Sequence, residues 1–133
     1  MTAAVKLNGE NLSLGAFESV ARQSKVTVCD SVRERVAQSR QVVESLLAEG
    51  DTIYGINTGF GKLSSERIAN DQVKELQRNL ILSHSAGVGR ALSREAVRGM
   101  MVLRLNSLVR GYSGVRQEVL DQLVECLNRE VIP

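Results

Sequence analysis

Apolar positions recur along the chain at helical spacing, and clusters of glycine divide them into runs. Val32, Val36, Val43, Leu46 and Leu47 form one stripe, which predicts a long helix beginning near Asp30. Ser31 and Glu34 stand at capping-box spacing near its start, and Gly50 is its stop. Upstream, Val5 to Leu14 reads as extended chain folded into a hairpin at Asn8-Gly9. Ser13 then caps a short helix with Leu14, Phe17, Val20 and Ala21 facing inward. Downstream, Asn70 or Asp71 caps a helix whose Val73, Leu76, Leu80 and His84 share a face, and Gly87 and Gly89 end it. Ser93 opens a further helix that is apolar almost all round from Met100 to Val109, so burial on several sides is expected. Gly111-Tyr112-Ser113-Gly114 breaks it, and Val115, Val119, Leu123, Cys126 and Leu127 give a final amphipathic helix. The pattern predicts a mainly α fold with a short N-terminal β-hairpin and a glycine-rich loop over residues 51–66.

A chain of 133 residues suits one unit with a real core. Formal charge is +2, from 17 basic and 15 acidic residues interleaved along the sequence, which is a solvated mixed surface and not the field of a nucleic-acid or membrane binder. Arg94, Arg98 and Arg104 can share part of a helix, where surface or interface salt bridges are the ordinary reading. With two tyrosines, two phenylalanines and no tryptophan, no basic cluster is interleaved with aromatics. Cys29 and Cys126 lie far apart and His84 is the sole histidine, so no metal site is expected and both thiols are read as reduced. Met1 to Gly9 lacks the basic-then-apolar order of a secretion signal, and no apolar run reaches membrane-spanning length. A soluble, cytoplasmic protein is expected. The apolar 100–109 run and the terminal Val131-Ile132 pair imply surface that packs against more chain or other copies.

Candidate chemistry concentrates in Tyr54-Gly55-Ile56-Asn57-Thr58-Gly59-Phe60-Gly61, which sets one of only two tyrosines at the head of a glycine-rich loop. Glycine lets backbone or ligand approach closely, and a phenol on such a loop can be held out as a reacting group. On generic grounds an ordinary glycine-rich turn is the commoner case. A phosphate cradle is excluded, because Ile56 and Leu63 stand where Walker A needs its first glycine and its Ser or Thr. Ser64 likewise replaces the third glycine of a dinucleotide fingerprint.

Further motifs follow in order: Leu76-Gln77-Arg78-Asn79-Leu80, Leu82-Ser83-His84-Ser85-Ala86-Gly87-Val88-Gly89, Leu105-Asn106-Ser107-Leu108 and Gly111-Tyr112-Ser113-Gly114-Val115-Arg116. With the tyrosine loop they resemble the aromatic amino-acid ammonia-lyases and aminomutases from about Asp51 to Pro133, with a weaker echo before it. Ser83-His84 falls where that family lines the pocket for the substrate ring, and it resembles the histidine-specific pattern. An imidazole substrate wants a hydrogen-bonding neighbour that an apolar pocket cannot supply. By residues alone His84 is more often a satisfied histidine on an apolar helix face; the resemblance makes it substrate-binding. It also implies Tyr54 as the base that removes a β-proton, Gly61 as a glycine beside the bound substrate, and conversion of L-histidine to trans-urocanate and ammonia. A phenol is scarcely ionised at neutral pH, so such a base needs positive charge or hydrogen-bond donors around its oxygen.

Members of the family use an electrophilic 4-methylideneimidazol-5-one group, formed autocatalytically from Ala-Ser-Gly, and are homotetramers with sites built from more than one subunit. No Ala-Ser-Gly occurs here, and Ser85-Ala86-Gly87 has that composition in another order. The resemblance therefore implies the N-terminal segment of such a lyase, with Tyr54 and His84 but no prosthetic group, inactive alone and homo-oligomeric. Two alternatives stay open. One is a tyrosine ammonia-lyase or aminomutase segment, because a histidine also binds a phenol; the other is a non-catalytic helical assembly module derived from the family.

Overall fold

The computed structural model describes residues 4–50, 52–63, 65–69 and 71–133. Its elements run β1 (Val5–Leu7), α1 (Leu14–Arg22), β2 (Val26–Val28), α2 (Asp30–Glu49), a 3₁₀ turn (Gly61–Leu63), α3 (Val73–His84), α4 (Arg94–Leu108) and α5 (Gln117–Asn128). Packing groups them into two compact units, Met1–Val43 with Ala91–Pro133, and Glu44–Arg90.

The first unit holds the core. Val20 of α1, Val26 of β2, Val32 and Val36 of α2, Val102 and Leu105 of α4, and Leu120 and Leu127 of α5 meet there, none more than 1 % exposed. Side chains so enclosed each contribute about 1.5–3 kcal/mol. Gly99 lets α4 approach α1, since a Cβ there would stand 3.1 Å from the Phe17 ring. Ser13 and Ser93 cap α1 and α4 as expected, their hydroxyl oxygens accepting from the Ala16 and Ala96 N–H groups at 3.2 Å. Leu14 departs from its predicted inward face and is 86 % exposed, in the turn where α1 begins.

The expected hairpin does not form. β1 pairs in parallel with β2, in register Val5↔Val26 to Leu7↔Val28, and α1 is the crossover. The Asn8-Gly9 turn is present, with Asn8 Oδ1 accepting from the Glu10 N–H at 2.9 Å, but it feeds α1 and no return strand. The Asn128 side chain closes β2: its Oδ1 accepts from the Val26 N–H at 2.8 Å and its Nδ2 donates to the Val26 carbonyl at 3.0 Å.

In α2, Ser31 lies within the first turn and not at the cap, because the helix already starts at Asp30. α4 is buried on one face only. Met101, Val102, Leu105 and Leu108 point into the core, whereas Met100 is 60 % and Leu103 52 % exposed. The expected burial on several sides is therefore not met within this chain. Arg98 overturns the salt-bridge reading at its position: it is 2 % exposed and donates to the carbonyls of Val20 at 3.0 Å, Leu127 at 2.7 Å and Ser24 at 3.1 Å. Burial lowers its pKa, against the raising effect of Glu130, and the guanidinium stays charged. Arg94 does form the expected surface pair, with Glu130 at 3.1 Å.

In the second unit, Gly50 ends α2 at φ +85°. The N-cap of α3 is Gln72, with no side-chain cap bond, and not Asp71; Asn70 lies outside the described residues. α3 ends before Gly87: Ser85 caps it, its N–H donating to the Ile81 carbonyl at 3.0 Å. No residue of α3 is buried.

Candidate active site

The loop that carries Tyr54 is a hydrogen-bonded frame built on two buried polar residues. Asn57 and Thr58 are both 0 % exposed. Asn57 Oδ1 accepts from the Ile53 N–H at 2.7 Å, the Asn57 N–H donates to the Ile53 carbonyl at 3.2 Å, and the Asn57 carbonyl accepts from the Ile68 N–H at 2.9 Å. Thr58 Oγ1 accepts from the Gly55 N–H at 3.1 Å and donates to the Gly59 carbonyl at 3.0 Å. An antiparallel bridge between Thr58 and Arg67 ties the two arms of the loop. Buried polar groups satisfied in this way fix the backbone locally. The pattern-based reading assigned no task to either residue, although an Asn amide bonding its own backbone turn is a recognisable signal.

Above that frame Tyr54 is 64 % exposed, its ring set edge-on to Phe60 with centroids 6.0 Å apart. Among the described residues no hydrogen bond engages its hydroxyl. The phenol is thus held at the ring and open at the oxygen. Gly61 has φ +58°, and among the described residues a Cβ built on it meets nothing within 4 Å. Its backbone conformation favours glycine, and the space beside it is clear.

His84 is the last residue of α3 and exposed. Its Nδ1 lies 2.9 Å from the Leu80 carbonyl oxygen and 3.0 Å from Ser83 Oγ. Ser83 Oγ also donates to the Leu80 carbonyl at 2.9 Å. Tyr54, Gly61 and His84 all belong to the second unit, but no bond or ring contact among the described residues joins Tyr54 to His84.

Elsewhere the two cysteines are free and half-buried. Among the described residues no cluster of three or more His, Cys, Asp or Glu could hold a metal ion, and no described helix is long and apolar enough to cross a membrane. A surface groove of about 490 Å³ in the first unit is lined by Arg104, Leu108, Val115, Val119 and Leu123, and includes none of the predicted site residues.

The chain is mainly helical, with Tyr54 on a hydrogen-bonded loop and the Ser83-His84 pair at the end of α3. Residues 12–133 match the aromatic amino acid lyase family, and the chain belongs to it. The match reaches well upstream of the motifs that carried the resemblance. A relative named histidine ammonia-lyase, from Alkaliphilus metalliredigens, is 47 % identical over 97 % of this chain and 26 % of its own length. Among solved structures, the ergothioneine-degrading ergothionase from Treponema denticola superposes with a TM-score of 0.94 at 35 % identity, over 98 % of this chain and 27 % of that one. A tyrosine aminomutase from Streptomyces globisporus does so with a TM-score of 0.94 at 33 % identity, over 98 % and 25 %. The chain spans about a quarter of the length of the curated relatives it matches.

Proposed function

We propose that this chain is the N-terminal segment of a cytoplasmic, homo-oligomeric lyase that converts L-histidine to trans-urocanate and ammonia, and that residues 1–133 act as one part of it. The observation that carries the reading is the presentation of Tyr54, with its ring braced by Phe60 and its hydroxyl open. In this reading Tyr54 takes the β-proton, His84 hydrogen-bonds the substrate ring, and the clear space at Gly61 admits the substrate. Relatives named histidine ammonia-lyase, 42–47 % identical, support the substrate assignment.

The family's methylidene-imidazolone would supply the electrophile. This chain has no Ala-Ser-Gly from which to build the group, so its residues do not fit as the group's source. The isolated chain is accordingly expected to make no urocanate.

The likeness to a tyrosine aminomutase supports a second reading, since an imidazole can also receive a phenol. Comparing L-histidine and L-tyrosine turnover by the full-length protein decides between them. Histidine is expected to win by kcat/KM, and a tyrosine preference would reverse the assignment.

A further inference from the structure

The triangle at the end of α3 fixes a proton. A carbonyl oxygen only accepts, so an imidazole nitrogen 2.9 Å from the Leu80 oxygen must carry hydrogen. The hydroxyl of Ser83 has one hydrogen and donates it to the same carbonyl at 2.9 Å, which turns an oxygen lone pair toward Nδ1 at 3.0 Å. The reverse arrangement, with Ser83 donating to a bare Nδ1, would leave two acceptors facing each other at 2.9 Å. It is electrostatically unfavourable. Which nitrogen of a histidine is protonated follows from the partner of the other nitrogen.

We propose that Ser83 is a positioning residue: together with the Leu80 carbonyl it holds His84 as the Nδ1–H tautomer and presents Nε2 as an acceptor. The ring of a substrate meeting Nε2 must then bring a hydrogen-bond donor, as an imidazole or a phenol does and an unsubstituted phenyl does not. That last clause rests on the lyase reading of the site; the tautomer assignment does not.

Ser85 is an internal control. Its hydroxyl donates to the Ile81 carbonyl at 2.7 Å, the same kind of bond to the helix backbone, with no bond to the imidazole. The single histidine gives one pair of ring nitrogen signals in a chain labelled with 15N-histidine. At a pH where the ring is neutral, Nδ1 is expected to be protonated and Nε2 bare. Losing one of the two acceptors is worth about one net hydrogen bond, so Ser83→Ala should lower the ratio of Nδ1–H to Nε2–H about two- to tenfold. Ser83→Thr should restore it, and Ser85→Ala should leave it unchanged. A neutral ring protonated at Nε2 would overturn the proposal, as would equal effects of Ser83→Ala and Ser85→Ala.

In the full-length protein, Ser83→Ala should raise KM for L-histidine by a similar factor with kcat little changed. Inhibition by L-phenylalanine, which lacks a ring donor, should not move. Equal weakening of both would mean that Ser83 serves only the fold, and would overturn the positioning role. With the tautomer as predicted and no preference for donor-bearing rings, it is the lyase reading of the pocket that would fail.

Discussion

At the scale of single residues, the most demanding position is Arg98. Its guanidinium answers three backbone carbonyls, those of Val20 and Ser24 around the end of α1 and that of Leu127 near the end of α5. Arg98→Met should destabilise the fold by about 2–4 kcal/mol, because it leaves buried acceptors unpaired, and urea unfolding measures it. A loss under about 1 kcal/mol would mean that water replaces the guanidinium. Helical periodicity could not reveal this residue, since an arginine in a helix reads as surface unless the carbonyls that surround it are known. Asn57 and Thr58 were hidden for the same reason: their burial follows from a loop closing on itself. Tyr54, Gly61 and Ser83-His84, by contrast, were legible as residues. The roles proposed for them came from the family motif and not from spacing.

At the scale of elements, the helices were readable where an amphipathic stripe and a cap agree. Ser13 and Ser93 with the apolar positions behind them set α1 and α4. The N-terminal strands were not readable. Asn8-Gly9 forms its turn locally, but the choice between a return strand and a helix is made by non-local pairing with Val26–Val28 and by Asn128, a hundred residues away in sequence. Periodicity carries no information about that partner. Asn128→Ala should cost about 1–3 kcal/mol, because Val26 loses both its donor and its acceptor partner on that edge. Asn128→Asp keeps the acceptor for the Val26 N–H but sets a carboxylate oxygen against the Val26 carbonyl, so it should cost at least as much. If the two variants unfold at the same urea concentration as the parent, the clamp contributes nothing.

At the scale of the whole molecule, both units carry exposed apolar side chains: Met100 and Leu103 in the first, Tyr54, Ile81, Leu82 and Val88 in the second. The apolar run from Met100 to Val109 forecast such surplus surface, and the relatives are about four times as long as this chain. Those facts sit together in a family whose fold is much larger than the part seen here. In the proposed reading, the segment supplies the phenol of Tyr54 on a braced loop. Replacing Tyr54 by Phe in the full-length protein removes one oxygen and leaves the Phe60 contact in place. Turnover of L-histidine should fall by about 10²–10⁴-fold, the usual worth of a general base, while thermal unfolding stays near the parent's. Turnover close to that of the parent would contradict the assignment of Tyr54 as the base.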